Sequence, residues 1–333
     1  MILSVVAIVV GLVLLVWSAD RFVDGAVGVA QFFGMSTFLI GMLIVGFGTS
    51  APEMVVSVLS AMNNTPQLAL GNAYGSNIAN IALILGVTAL ITPVVVKKEA
   101  MKRDIPILMA MTVLTVLLLM DGNVSFVDGV ILLFAFAGST AFNIFTELHA
   151  KRKRKKEESV EVPTEKVSIV KSSLLLLVGL ALLIASSRML VWGAINVAQA
   201  LGVSDLLIGL TIVAVGTSLP ELASSIAAAR KGENDLAVGN VIGSNIFNTL
   251  VVVGIAAVIT PIKAMDAEVL SRDLPIMSAL TLLLFLICFP FFKSKRAKAS
   301  RKKNEQFGFG RIGGALFLSL YVAYLVLLGV TTV

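Results

Sequence analysis

Gly48-Thr49-Ser50-Ala51-Pro52-Glu53 and Gly216-Thr217-Ser218-Leu219-Pro220-Glu221 are two copies of one hexapeptide, 168 positions apart in a chain of 333 residues. The same register superposes Gly71-Asn72 on Gly239-Asn240. It also carries Gly75-Ser76-Asn77-Ile78 and Asn80 onto Gly243-Ser244-Asn245-Ile246 and Asn248. Further matches in that register are Ala30-Gln31 with Ala198-Gln199, Gly34 with Gly202, Leu39-Ile40-Gly41 with Leu207-Ile208-Gly209, and Thr92-Pro93 with Thr260-Pro261. So many identities at one shift mark an internal repeat.

Both hexapeptides sit inside long apolar stretches. The chain is 57% hydrophobic and only 14% charged, with a mean hydropathy of +0.97, a composition that excludes most soluble folds. A membrane-crossing helix needs about 20 predominantly apolar residues. Such segments are expected at 1–20, 37–62, 68–92, 104–121, 124–146, 171–190, 205–230, 236–260, 273–292 and 311–331. The expected fold is therefore an all-α membrane protein of ten transmembrane helices, divided into a first five-helix repeat (1–148), a linker (149–170) and a second five-helix repeat (171–333). Five spans per copy is an odd number, so the copies are inverted relative to each other. Inverted repeats are an architecture of secondary transporters, with the substrate site near the bilayer midplane.

Ile2 to Trp17 is apolar but lacks a positive n-region and a small-x-small cleavage site before Asp20 and Arg21, so it is expected to be a retained helix and not a signal peptide. The stretch from Lys151 to Lys171 contains KRKRKKEE and Pro163 and is expected to be a mobile linker. Positively charged loops stay cytoplasmic. Placing the linker inside puts both termini outside and leaves only Arg188, Lys263 and Arg272 of the 26 Lys and Arg residues on the outer face. The net charge of +6 then faces the cytoplasm and its anionic lipid, and no nucleic-acid partner is expected. Cys288 lies in an apolar run and His149 beside the basic linker, and neither is assigned a function.

Glu53 and Glu221 fall in the middle of apolar helices, where a carboxylate costs roughly 2.5 to 3.5 kcal/mol on insertion scales. A structural carboxylate bonded to a neighbouring helix could explain one of them, but two at symmetric positions point to function. Gly46, Gly48 and Pro52 in one copy, and Gly216 and Pro220 in the other, weaken the helix just before the carboxylate. Proline lacks an amide proton and disfavours helix at the residue before it. The freed carbonyl oxygens are tolerated at that depth only where they line a cavity or the protein interior. Thr49, Ser50, Thr217 and Ser218 add hydroxyl oxygens within a turn. Ser76 and Asn80, like Ser244 and Asn248, are four apart and share a helix face. Asn77 and Asn245 point elsewhere and are assigned to packing or capping. This inventory of carboxylate, hydroxyl, amide and carbonyl oxygen suits hard cations, and its flexibility and two charges suit Ca2+ better than Mg2+. Na+ has a similar radius and half the charge, so the two ions are expected to compete for one site.

At these residues the sequence resembles the cation/calcium exchanger superfamily, specifically its prokaryotic Na+/Ca2+ exchangers. The resemblance covers essentially the whole chain and implies ten helices in inverted repeats, about four central ion sites, and exchange of about three Na+ for one Ca2+ near the midplane. It implies that helices one and six slide across the rest, and that the protein lies in a prokaryotic inner membrane. Carried over by position, the implied ion ligands are the Gly46 carbonyl, Thr49, Ser50, Glu53, Ser76 and Asn80, then the Ala214 carbonyl, Thr217, Ser218, Glu221, Ser244 and Asn248. Gly46 stands where relatives often have alanine. Asn248 stands where the K+-dependent members carry Asp, which argues against K+ cotransport and leaves two formal negative charges at the site.

A Ca2+/H+ antiporter of similar fold is the nearest alternative, with protons titrating the glutamates in place of sodium. An intramembrane enzyme would need a nucleophile with a base, or paired aspartates, and the apolar segments contain no histidine. No cofactor is implied, since Ca2+ and Na+ are substrates. The charge count predicts that a cysteine placed at Ser159 is shielded from an impermeant thiol reagent in intact cells, while one placed at Thr332 is labelled. The reverse labelling pattern would refute the orientation.

Overall fold

The computed structural model describes residues 1–157, 167–203, 212, 214–288 and 306–331. The described chain is mostly helical: α1 (Ile2–Phe33), α2 (Thr37–Thr49), α3 (Ala51–Met62), α4 (Pro66–Ile91), α5 (Lys98–Leu119), α6 (Phe126–Glu157), α7 (Ile169–Ala200), α8 (Ala214–Thr217), α9 (Leu219–Arg230), α10 (Asn234–Ile259), α11 (Val269–Cys288) and α12 (Arg311–Thr331). Two short strands, β1 (Val94–Lys97) and β2 (Gln306–Phe309), pair antiparallel with Val94 opposite Phe309. Among the described residues, 7 helices are long and apolar enough to cross a membrane, and α2 with α3 makes an eighth if the broken pair is one span. The start of the expected 205–230 span and the centre of the basic linker lie outside the described residues.

By packing, the chain forms two compact units, each drawing on both copies of the repeat. The first is Met1–Thr49, Ala137–Asn240 and Leu325–Val333, and the second is Ser50–Phe136 and Val241–Tyr324.

The first unit is organised by α1 against α7, which run antiparallel and pack along most of their length. Glycines make that approach possible. A Cβ on Gly11 would lie 3.0 Å from Leu190 Cβ, and one on Gly179 would lie 2.7 Å from the Phe22 amide nitrogen. A Cβ on Gly193 would lie 2.6 Å from the Ser4 carbonyl, and one on Gly25 would overlap the Leu176 backbone. Small residues at such notches let apolar helices approach closely where lipid offers no hydrophobic drive for their association. Phe22, Val23, Ala26 and Leu183 are buried in the resulting core.

Both helices run past their expected ends. α1 continues to Phe33 and not to residue 20, closed by Gly34 in the left-handed conformation (φ 58°, ψ 36°), and α7 continues to Ala200, followed by Gly202 at φ 79°. Asp20, Arg21 and Asp24 look like the end of a span by hydropathy. The helix continues because its last turns still pack on α7, and a cap ends it. Asp24 is met by Lys231 Nζ at 2.6 Å, and the same ammonium donates to the Asp20 carbonyl at 2.9 Å. These aspartates therefore lie inside a helix, where the sequence placed them near its end. α6 likewise runs to Glu157 and takes up the first part of the expected linker. Its Glu147 accepts the Ser36 amide at 3.0 Å at the start of α2.

In the second unit α3 packs on α4 and on the C-terminal part of α10, and α5 packs on α11. Two buried aspartates near helix starts carry their own counterions. Arg103 Nη2 lies 3.0 Å from Asp104, and Arg272 Nε lies 2.8 Å from Asp273. Asp273 also accepts from the Tyr324 hydroxyl at 3.2 Å.

Leucine at Gly25 should prevent the α1–α7 approach and lower stability by about 1–3 kcal/mol or more, the usual cost of overpacking. Alanine at Gly138, where a Cβ meets nothing within 4 Å, should leave stability unchanged or slightly raised. Thermal denaturation of the two variants in detergent checks the contrast.

Candidate cation-binding site

The candidate ligands stand at and after two helix breaks. α2 stops at Thr49 and α3 starts at Ala51, with Ser50 between them at φ −84°, ψ 4°. α8 stops at Thr217 and α9 starts at Leu219, with Ser218 at φ −91°, ψ 7°. The two serines thus adopt the same conformation, in the sparsely populated region between helix and strand. Proline explains the position of each break. Pro52 and Pro220 sit at the second residue of the new helix, where a missing amide proton costs nothing, and each removes the bond that would continue the old one. Pro220 leaves the Gly216 carbonyl without its helical donor, and Ser187 of α7 supplies one at 3.1 Å. The Ser218 amide turns to the Val215 carbonyl at 3.1 Å, one residue short of the Ala214 carbonyl that a regular helix would use. In both copies the glutamate lies in the first turn of the restarted helix and is almost wholly buried.

Gly46, Thr49, Ala214, Thr217, Ser218 and Glu221 belong to the first unit, and Ser50, Glu53, Ser76, Asn80, Ser244 and Asn248 to the second. Their described side chains are buried except that of Thr217, which is half-buried.

In the first unit the structure links Thr49 to Glu221 through Asn240. The Thr49 hydroxyl is 3.1 Å from Asn240 Oδ1 and 3.1 Å from the Val45 carbonyl. Asn240 Nδ2 faces the Glu221 carbonyl at 3.4 Å, Ser224 Oγ at 3.1 Å and Ser225 Oγ at 3.0 Å.

In the second unit Asn72, the repeat mate of Asn240, donates to the Glu53 carbonyl at the same 3.4 Å. Ser57 Oγ donates to the Val252 carbonyl at 2.7 Å, joining the Glu53 helix to α10. Asn80 and Asn248 each occupy the second position of a π-helical turn, Ala79–Ile84 in α4 and Phe247–Val252 in α10. Such turns widen a helix locally and are frequent at functional sites. Asn80 Nδ2 donates to Asn245 Oδ1 at 3.0 Å, which leaves its oxygen as the outward atom. Asn77 donates to Thr249 Oγ1 at 2.7 Å, in keeping with a packing role, whereas Asn245 orients a candidate ligand.

Glu53 Oε2, Asn80 Oδ1 and Asn248 Oδ1 in this unit, and Ser218 Oγ in the other, are buried and have no hydrogen-bond partner among the described residues. A buried acceptor without a donor is costly. Tyr74, Asn77, Thr88, Thr115, Asn143 and Asn234 also carry oxygens in that state; on the predicted ligands of each unit such oxygens fit a hard cation as a partner.

Asn72, Asn240 and Asn245 have no role in the sequence reading of ligands, although the first two were visible as the matched Gly-Asn pair. The π-helical turns have no signal in residue type.

The family model described as sodium/calcium exchanger protein matches residues 3–145 and 171–330. The chain belongs to the sodium/calcium exchanger family. It is 40% identical over 295 residues to the inner membrane protein YrbG of Escherichia coli, covering 87% of this chain and 90% of the relative. It is 29% identical over 355 residues to the sodium/calcium exchanger MaX1 of Methanosarcina acetivorans, covering 96% and 97%. The solved structure of the sodium-calcium exchanger NCX_Mj soaked with zero Na+ and Ca2+ superposes with a TM-score of 0.80 at 32% identity, over 98% of this chain and 99% of that one.

Proposed function

We propose that this exchanger is a secondary active antiporter that moves Na+ against Ca2+ by alternating access. On this reading it has ten transmembrane helices in two inverted repeats, 1–148 and 171–333. It lies in a prokaryotic inner membrane, with the 149–170 linker in the cytoplasm and both termini outside. The observation that carries the proposal is the pair of buried glutamates, Glu53 and Glu221, each in the first turn of a helix restarted at a serine of the same backbone conformation. Family membership, the name of MaX1 and the likeness to NCX_Mj support the ions. The name of YrbG supports the membrane.

Gly46, Thr49, Ser50, Glu53, Ser76 and Asn80, with Ala214, Thr217, Ser218, Glu221, Ser244 and Asn248, supply the oxygens on this reading. Two carboxylates balance one Ca2+, and the same oxygens hold Na+ when Ca2+ leaves. Charge bookkeeping supports this, since other aspartates in the helices sit against cations: Asp20 and Asp24 against Lys231, Asp104 against Arg103 and Asp273 against Arg272.

Glu53→Gln and Glu221→Gln should each abolish Ca2+ exchange in a protein that still folds, because glutamine keeps the shape and removes one of two balancing charges. The assay is radiolabelled Ca2+ uptake into proteoliposomes loaded in turn with Na+, K+ or a low-pH buffer. Uptake driven by the proton gradient and indifferent to Na+ overturns sodium coupling in favour of Ca2+/H+ exchange.

Transport should also be electrogenic. With two site charges, Ca2+ crosses as a neutral complex. A load of about three Na+ carries one positive charge, on which voltage acts with roughly 2.3 kcal/mol per 100 mV. Inside-positive voltage, clamped with K+ and valinomycin at a fixed sodium gradient, should speed Ca2+ entry. A rate unchanged by voltage means two sodium ions per calcium or a compensating proton.

A further inference from the structure

Asn240 belongs to no part of the ligand set, yet it is almost wholly buried and touches both copies of the hexapeptide within the first unit. Its orientation is determined by the one neighbour that cannot change roles. The Glu221 carbonyl can only accept, so Nδ2 must face it, and Oδ1 must then face Thr49. Towards either of these two oxygens the Thr49 hydroxyl can only donate, so its single proton is shared between the Val45 carbonyl and Asn240 Oδ1, and the oxygen lone pairs point away from both. A hydroxyl oxygen binds a cation through its lone pairs, so this is the orientation that a ligand needs. A hydroxyl held instead as an acceptor would present its proton to the ion.

The geometry points to Asn240 as a positioning residue for cation binding: through its side-chain amide it draws the Thr49 hydroxyl off a pure bond to its own helix at Val45 and fastens it to the backbone of Glu221. Asn72 makes the matching 3.4 Å contact to the Glu53 carbonyl, so the grip on the glutamate backbone recurs in the other copy of the repeat. The inference rests on the reading of Thr49 and Glu221 as ion ligands.

The test is a double-mutant cycle on the full-length protein, with Thr49→Val, Asn240→Ala and both together. One readout is the half-saturating Na+ concentration for Na+-dependent Ca2+ flux in proteoliposomes. The other is the upward shift in melting temperature that Na+ produces in detergent. Asn240→Ala should raise half-saturation by about fivefold to tenfold, with the rate at saturating Na+ kept within about twofold. In the Thr49→Val background the same change should add less than about twofold, because the hydroxyl it acts on is gone. A full multiplicative effect there, or an unchanged half-saturation in the single variant, overturns the inference.

If Asn240→Ala does not fold, Asn240→Asp keeps the shape and the acceptor oxygen. Thr49→Val should then cost as much in that background as in wild type, and a cost that disappears overturns the inference. A wild-type protein with neither Na+-dependent flux nor a Na+-induced shift overturns the functional reading together with this one. An active wild type with a multiplicative cycle overturns only the role of Asn240.

Discussion

A carboxylate in the middle of a membrane helix has to be matched by a positive charge or by donors, and regular helix offers neither. Every other feature of the site follows from meeting that demand twice. Stopping the helix at Ser50 and Ser218 takes carbonyls such as that of Gly216 out of the hydrogen-bond ladder, and the proline two residues later keeps the ladder from closing again. The restarted helix brings its N-terminal turn, with unpaired amides and positive dipole end, to the residue that carries the charge. That end eases the burial of the glutamate, and on the proposed reading a mobile cation completes the balance.

Holding such a break open requires polar groups that do not themselves bind the ion. Asparagine serves well because it donates and accepts at once. Asn72 and Asn240 grip the backbone beside the two glutamates, Asn245 takes the amide of Asn80, and Ser57 and Ser187 donate to carbonyls of neighbouring segments. On the proposed reading, these bonds leave the remaining oxygens to the substrate.

The repeat, the apolar spans and the two glutamates were legible because each has a signature in residue type and spacing. Helix ends were less legible. Asp20, Arg21 and Asp24 suggested a boundary by hydropathy, whereas packing on α7 carries α1 on to Gly34. The basic residues after Leu148 suggested a linker, but helix persists to Glu157. The π-helical turns at Ala79–Ile84 and Phe247–Val252 are a backbone adjustment that no side chain announces. Asn245 was read as packing or capping because it lies off the face shared by Ser244 and Asn248, and only the fold shows that it holds the amide of Asn80, 165 residues away.

The glycine notches of the first unit bear on how two copies of one repeat can drift apart. Gly11 in the first copy receives Leu190 from the second, and Gly179 in the second receives Phe22 from the first, at corresponding positions of the repeat. Each copy therefore carries a notch for the other and a knob for the other. A larger side chain at either glycine meets backbone that cannot give way, whereas the knobs already differ, phenylalanine in one copy and leucine in the other. At these two contacts divergence falls on the knobs, so each helix is free to change there only while the opposite partner's glycine stays in place.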